Sequence, residues 1–408
     1  MDEVYIIEGV PMNGSLRPPE TFWNRNFFLA LFGYFFLFMS VALFYLFPLF
    51  LEQFHPSKSR VGLIMGVNSL MAILVRPFFG RLIDIQGGKK SSLSGILFFI
   101  AVVPFFHLVR DAGVLPLVLR ALTGAAWGIG MTATMAICSD LAPVEKLAHS
   151  IGVIGVAGII ASALGPLFGE EIVRRFGFRG LFNTSLAFLA TAFLCMLLTK
   201  PVIKANGRPE PRRSNPLKKL SFWSILIIAS MPIFHGAVRG SVVNFIVLFG
   251  KSIRLERVGP FFFVFSVAAI ITRLGIGDLS DRYGRKQVIF PAACLISLNL
   301  FWISQVQSFG MFLVNGFIAG LGQGLIFPAL STYVIDRVGR ENKGFALSLY
   351  LSLFDVGMGL GSPFFGWVSD IAGFRTMYIV SGALLLLSTI IFTWKAPQSN
   401  LAKNMVKS

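Results

Sequence analysis

The feature that most constrains this chain is a series of long apolar stretches that fills almost its whole length. A helix that crosses the hydrocarbon core of a bilayer needs about 20 apolar residues. Twelve stretches qualify, and we call them spans one to twelve, with predicted bounds 27–51, 61–80, 91–109, 113–137, 149–169, 179–199, 221–249, 258–277, 287–306, 310–335, 344–367 and 376–395. The sequence therefore predicts an all-α integral membrane protein of twelve transmembrane helices.

The charged residues support this class of protein and exclude another. Only 13% of the 408 residues are charged, whereas soluble domains carry about 25%. A formal net charge of +17 would suit a protein that binds nucleic acid. The cations lie in short loops between apolar runs, however, so they indicate membrane topology and exclude nucleic acid as a partner.

The distribution of Lys and Arg predicts the orientation. With the N-terminus inside, the cytoplasmic segments hold 22 of these residues and the outer loops hold ten. Loops rich in Lys and Arg stay in the cytoplasm, so we expect both termini there. The predicted location is the plasma membrane, which is the inner membrane if the cell is bacterial.

A polar segment with four prolines and seven Lys or Arg residues divides the chain after six spans. Such a composition cannot build a core and is typical of a flexible linker. The predicted organisation is a cytoplasmic tail, a six-helix bundle, a cytoplasmic linker, a second six-helix bundle and a second tail, at 1–26, 27–199, 200–220, 221–395 and 396–408.

The two halves repeat with an offset of 196–197 residues. Four motifs align at this offset: 76–89 with 273–286, 165–169 with 362–366, 177–179 with 373–375, and Asp140 with Asp336. Four chance matches at one offset are improbable. Parallel six-helix repeats are a transporter architecture, with the substrate site between the halves near the midplane of the membrane.

On these motifs the whole chain resembles the major facilitator superfamily. The segments after spans two and eight are similar to the family signature G-x-L-x-D-R-x-G-R-K. The first copy matches at Gly80, Asp84, Gly87 and Lys89, with Ile85 and Gly88 in place of the two arginines. The second copy matches at Gly277, Asp281, Arg282, Gly284, Arg285 and Lys286.

This resemblance implies a conformational latch on the cytoplasmic side. Glycines permit a tight turn between helices, and an Asp can bind the positive N-terminus of a neighbouring helix. In the family, this Asp holds the cytoplasmic faces of the halves together in one transport state. Asp84 would then meet the start of span eleven, and Asp281 the start of span five. The alternative is that these residues only set loop shape and topology.

Ionisable side chains at membrane depth are costly and mark functional candidates. Asp355 is the one acid well inside a span, and it continues a small or polar face with Ser348, Ser352, Gly359 and Ser362. It is a candidate protonation or substrate-cation site. The alternative is a structural partner for a buried Arg.

Cationic candidates lie on spans four and seven. Arg120 precedes Gly124 in a segment that resembles the family motif R-x-x-x-G, whose Arg is associated with proton coupling. His235 and Arg239 share a face of span seven. A buried guanidinium needs an acceptor, such as a carboxylate of the protein or of the substrate. His235 suits proton coupling and equally suits hydrogen-bonded packing.

Two further candidates depend on the resemblance. Spans one, four, seven and ten line the central cavity in the family, which implies pathway roles for Tyr45 and Gln323. On span five, Gly165, Pro166 and Gly169 resemble the signature of the proton-coupled antiporter branch, with Ala161 and Glu170 in place of glycines. Small residues allow close helix packing and proline bends a helix, so this segment is a candidate hinge and indicates export.

No catalytic motif is present, and Cys138, Cys195 and Cys294 form no CxxC pair. We therefore expect neither an enzyme nor a bound metal or cofactor. Three functions remain open: a proton-coupled exporter, a proton-coupled symporter or facilitator of small organic anions, and a receptor or scaffold that transports nothing. The expected partners are a small anionic or zwitterionic substrate, protons and the lipid bilayer, and we expect a monomer.

Overall fold

The computed structural model describes residues 5–6, 24–141, 147–200, 202–203, 222–276, 279–339 and 342–396. These residues are almost entirely helical. In the first half the helices are Arg25–Leu43, Phe44–Leu46 (3-10), Phe47–Glu52, Lys58–Gln86, Gly88–Val102, Val103–Leu108 (3-10), Val114–Asp140 and Leu147–Leu198. In the second half they are Phe222–Ser252, Gly259–Ile276, Leu279–Arg282, Arg285–Ile303, Phe309–Val338 and Lys343–Lys395. Two-residue strands, Tyr5–Ile6 and Val202–Ile203, pair in parallel.

Two of these helices are long enough to cross a bilayer twice. Leu147–Leu198 has 52 residues and Lys343–Lys395 has 53, or about 80 Å each at 1.5 Å per residue. Each turns at a single glycine, Gly177 (φ 66°) or Gly373 (φ 81°), in the left-handed region that favours glycine. Each therefore supplies two spans, and the described residues contain all twelve predicted spans in two six-helix bundles.

The predicted bounds agree with the structure to within a few residues except at the ends of spans two, five and eleven. Spans five and eleven were predicted to end at residues 169 and 367, whereas their helices continue to the turns at Gly177 and Gly373. Span two was predicted to end at residue 80, whereas its helix continues to Gln86. The expectation of a loop from Gly80 onward was wrong for this segment. Apolar length marks where a helix leaves lipid, and a polar helix can continue beyond that point. The turn itself is confined to Gly87, whose φ is 85°.

The repeat seen in the sequence is also present in the contacts. Gly284 has a φ of 96° and precedes span nine as Gly87 precedes span three. Lys89 Nζ donates to the carbonyl oxygen of Leu197, 2.8 Å away, and Lys286 Nζ donates to that of Thr393, 2.7 Å away. The two lysines thus bind the C-terminal ends of spans six and twelve, where carbonyl groups lack partners.

The halves meet mainly through two helix pairs, spans two with eleven and spans five with eight. Odd-numbered spans end at one face of the protein, which we call the E face because the charge count predicts that it lies outside the cell. We call the opposite face the C face. Spans two and eleven approach very closely. A Cβ on Gly62 would lie 2.2 Å from the Ser362 carbonyl oxygen, and one on Gly66 would lie 2.3 Å from that of Gly359. Glycine permits this contact between backbones.

Within the first half, a similar contact positions span four. A Cβ on Gly124 would lie 2.1 Å from the carbonyl oxygen of Asn68 on span two. The Asn68 amide in turn donates to the carbonyl oxygen of Arg120 at 3.1 Å and to the Thr123 hydroxyl at 3.2 Å. The glycine four residues after Arg120 therefore fixes the helix turn that carries Arg120.

We predict that Gly124→Ala destabilises the protein by about 1–3 kcal/mol, because the added methyl group forces two backbones apart. Thermal unfolding of the purified protein in detergent measures this loss. Gly152→Ala is the matched control, since a Cβ there meets no atom within 4 Å, and the change should be neutral or slightly stabilising. Equal stability of the two variants would contradict the proposed role of the Gly124 contact.

Candidate functional site

The clearest charge contact between the halves joins Asp355 on span eleven to Arg76 on span two. Arg76 Nη1 lies 2.6 Å from Asp355 Oδ2, and both side chains are less than one-fifth exposed. Asp355 is twelve residues beyond Lys343, or about 18 Å along the helix. The ion pair therefore lies deep in the protein and bridges the two bundles.

The antiparallel arrangement of spans two and eleven explains this contact. Side chains on a helix tilt towards its N-terminus. Arg76 thus tilts towards the E face and Asp355 towards the C face, so the two charged ends approach each other. Sequence reasoning left Arg76 out of the pathway, although a buried guanidinium needs an acceptor and Arg76 begins the repeated motif.

Arg120 on span four has a different environment. Its side chain is 6% exposed, and its guanidinium carbon lies 5.5 Å from the centre of the Phe44 ring and 5.8 Å from that of Phe47. Arg120 Nε has no hydrogen-bond partner among the described residues. A buried donor without a partner can bind an incoming acceptor.

Arg239 on span seven shares a neighbour with Arg120. Its guanidinium carbon lies 4.4 Å from the centre of the Phe265 ring, a close cation–π contact. Tyr45 lies near both arginines, and its ring packs against Phe262 of span eight at 5.5 Å. Among the described residues neither arginine forms an ion pair, so this region between the halves is positively charged.

His235 and Gln323, predicted separately, are brought together in the second half. His235 Nε2 and Gln323 Oε1 lie 2.9 Å apart, and the imidazole packs edge-on against Phe354 at 5.1 Å. The histidine is only 1% exposed. This environment favours hydrogen-bonded packing for His235, and its role in coupling stays a prediction.

A fourth arginine, Arg273 on span eight, also reaches the region between the halves. It lies over the Phe327 ring at 5.9 Å, with Tyr34 and Tyr350 nearby. Arg273 is the repeat counterpart of Arg76, but the offset of 197 residues places Gly158 where span eleven has Asp355. The repeat thus supplies two arginines and only one acid, which leaves this region with excess positive charge.

The two aspartates of the latch predicted for the C face have side chains outside the described part of the structure. Gly277 and the side chains of Asp84, Asp281 and Arg282 are not described, so their contacts with spans five and eleven stay a prediction. Arg285 is described: its Nε lies 3.2 Å from Asp336 Oδ2, and Nη1 lies 2.7 Å from the Ser280 hydroxyl. These contacts all fall within the second half.

The candidate hinge on span five is closely packed. A Cβ on Gly165 would lie 2.4 Å from that of Ala42 on span one, and one on Gly169 would lie 3.0 Å from side-chain atoms of Leu43 and Leu46. Pro166 lies between them in the helix interior. The small residues serve close packing, and bending at Pro166 stays a prediction.

In the described part of the chain, no three His, Cys, Asp or Glu residues cluster as metal ligands.

Comparison with known proteins agrees with this architecture. The family model of the major facilitator superfamily matches residues 27–287 and 249–407. The multidrug resistance protein MdtG of Rahnella sp. (strain Y9602) is 26% identical over 400 residues, which cover 93% of this chain and 95% of the relative. MdtG of Salmonella arizonae is 25% identical over 403 residues, with 92% and 96% covered.

Solved structures show the same fold. The nucleoside transporter NupG has a TM-score of 0.76 at 12% identity, covering 92% of this chain and all of its own. The human organic anion transporter MFSD10 has a TM-score of 0.66 at 17% identity, with 90% and 99% covered. This chain belongs to the major facilitator superfamily. It is a multi-pass membrane transporter of small molecules and not an enzyme.

The ion pair between Arg76 and Asp355 gives a testable energetic signature. We predict that Arg76→Gln and Asp355→Asn each destabilise the protein by about 3 kcal/mol or more, because each leaves a buried charge without its partner. The double variant should lose much less than the sum. Chemical unfolding of all four proteins measures this coupling.

Strictly additive losses would show that the two side chains do not stabilise each other. The exposed pair formed by Glu171 and Arg174 is the control for charge removal in general. Its neutralisation should change stability little, because exposed ion pairs are screened by water and salt.

Proposed function

We propose that this transporter exports small organic solutes in exchange for protons. The observation that carries the proposal is the ion pair between Arg76 and Asp355, 2.6 Å long and formed across the two bundles. A proton on Asp355 would remove the attraction, so protonation would weaken a contact between the halves. A proton gradient could drive alternating access through this step, since a ligand shifts a conformational equilibrium by its differential affinity for the two states.

Two findings support the direction of transport. The full-length relatives are named multidrug resistance proteins, and the span-five motif resembles that of proton-coupled antiporters. We place the protein in the plasma membrane, or the inner membrane of a bacterium, as a monomer with both termini in the cytoplasm. The charge count across the loops supports this orientation.

The two alternatives differ in how much the site supports them. Transport of small organic anions, by proton symport or facilitated diffusion, is favoured by one observation: Arg120 and Arg239 are buried without an ion-pair partner among the described residues. Such a site would bind an anionic or zwitterionic substrate. A receptor or scaffold without transport has no support from the site or from the relatives.

We predict that Asp355→Asn abolishes solute flux driven by a pH gradient in proteoliposomes, while solute exchange without a gradient continues. The asparagine cannot carry the proton but keeps the shape of the side chain. Asp111→Asn is the control, because that carboxylate binds only the nearby Gly113 backbone in an exposed loop. Normal pH-driven flux in Asp355→Asn would remove this residue from proton coupling.

The combined variant Arg76→Gln with Asp355→Asn separates coupling from structural support. If Asp355 only neutralises Arg76, the combined variant regains both stability and pH-driven flux. If Asp355 carries the proton, stability returns but pH-driven flux does not.

We predict that the site prefers anions. Carboxyfluorescein and rhodamine 123 share a ring system and carry opposite charge, and fluorescence anisotropy reports their binding to the purified protein. Loss of one charge-assisted hydrogen bond should weaken binding of the anionic dye about tenfold or more in Arg120→Gln and in Arg239→Gln.

Arg110→Gln, on the exposed E face, is the control for loss of a positive charge. Binding of rhodamine 123 should be unchanged or stronger in Arg120→Gln and Arg239→Gln. Equal affinity of wild type and both variants for carboxyfluorescein would argue against an anionic substrate and leave proton-coupled export of other solutes standing.

A further inference from the structure

The E face carries a contact between the halves that the pathway does not use. Glu170, at the E-face end of span five, accepts hydrogen bonds from the backbone N–H groups of Val258 and Gly259 at 2.7 and 2.9 Å. These two residues form the start of span eight. A carboxylate of the first half therefore binds the helix N-terminus of the second.

The reverse contact exists at the same face. Asp370, at the E-face end of span eleven, accepts hydrogen bonds from the backbone N–H groups of Lys58 and Ser59 at 2.5 and 2.8 Å. These residues begin span two. Spans eleven and two are the repeat counterparts of spans five and eight, so equivalent helix pairs carry a similar contact with the halves exchanged. The two carboxylates lie 200 residues apart, whereas the repeat offset is 196–197, so they do not occupy the same repeat position.

Both carboxylates accept favourable hydrogen bonds, although burial of Glu170 opposes its charged form. The first N–H groups of a helix have no partner within it and carry the positive end of the helix dipole. A carboxylate satisfies two of them at once with charge-assisted hydrogen bonds. Lys58 and Arg257 add positive charge beside Asp370 and Glu170 respectively.

Glycines allow the helices to come close enough for these contacts. A Cβ on Gly259 would lie 2.9 Å from the Pro166 carbonyl oxygen, and one on Gly366 would lie 2.3 Å from that of Lys58. Each carboxylate thus lies beside a close contact between backbones. Separation of the halves at the E face would break these hydrogen bonds and both close contacts.

We propose that Glu170 and Asp370 are the positioning residues of a latch that holds the E face closed during transport. The aspartates predicted as the C-face latch are Asp84, near the end of the span-two helix, and Asp281, which follows span eight. They would bind the starts of spans eleven and five respectively. Each helix pair would then have a carboxylate latch at both ends, with one end closed at a time. Glu170 replaces a glycine of the family signature, so this half of the E-face latch is a departure of this chain from its family.

A distance measurement across the E face tests the latch without any substrate. Spin labels at Arg110→Cys and Gln307→Cys, both exposed on E-face loops of opposite halves, report opening by double electron–electron resonance in nanodiscs. Cys138, Cys195 and Cys294 are replaced beforehand to leave only these two labels. We expect Glu170→Gln and Asp370→Asn each to raise the ratio of open to closed populations by about fivefold, and the combination by more.

Glu171→Gln is the matched control, since the neighbouring acid is exposed and, among the described residues, pairs only with Arg174 and Arg175 of its own half. It should leave the distance distribution unchanged. The latch is overturned if the combined variant gives the wild-type distribution, or if Glu171→Gln shifts the distribution equally. The inference rests on alternation between the halves and not on the proposed solute or proton, so either proposal can fail without the other.

Discussion

Lipid hydrocarbon offers no hydrogen-bond partner, and this constraint determines where every charge of the protein lies. Backbone groups must pair within helices, and a buried ionisable side chain must find its partner inside the protein or in a ligand. Asp355 meets this requirement through Arg76. Arg120 and Arg239 meet it only in part, through aromatic rings. The proposed anion site follows from this unmet requirement, because a solute with a carboxylate or phosphate group could complete it.

The internal repeat is preserved in the turns and helix-end contacts, but not in the charged side chains at the middle of the membrane. Paired glycines turn the chain at equivalent points, paired lysines bind the ends of spans six and twelve, and paired carboxylates bind helix N-termini at the E face. In the middle of the membrane the two halves differ, since Gly158 occupies the repeat position that corresponds to Asp355. Two halves that must rock against each other need equivalent helix contacts. A single binding site between them needs an asymmetric set of side chains.

The sequence predicted the spans, the repeat and the class of transporter, because apolar length and repeated motifs are local properties of the chain. It did not predict that spans five and six join through Gly177 alone, or that span two continues to Gln86, because hydropathy marks lipid contact and not helix ends. Arg76 appeared only as the first residue of a repeated motif, because its partner depends on the antiparallel packing of two distant helices. Glu170 was visible only as a departure from a signature. Its acceptor role requires the start of span eight to be beside it.

The strength of the contacts between the halves must suit a cycle in which they break and re-form. A carboxylate at a helix N-terminus contributes about 0.3–1 kcal/mol when exposed and about 2 kcal/mol when partly buried. Reversal of a conformational equilibrium from 1:99 to 99:1 requires about 5.5 kcal/mol. The free energies of two such carboxylate contacts and one buried ion pair are together of this magnitude. Protonation of Asp355 and binding of a solute together could therefore reverse the preference between the two conformations. Polar contacts at the ends of glycine-lined helix pairs can therefore break and re-form during the cycle.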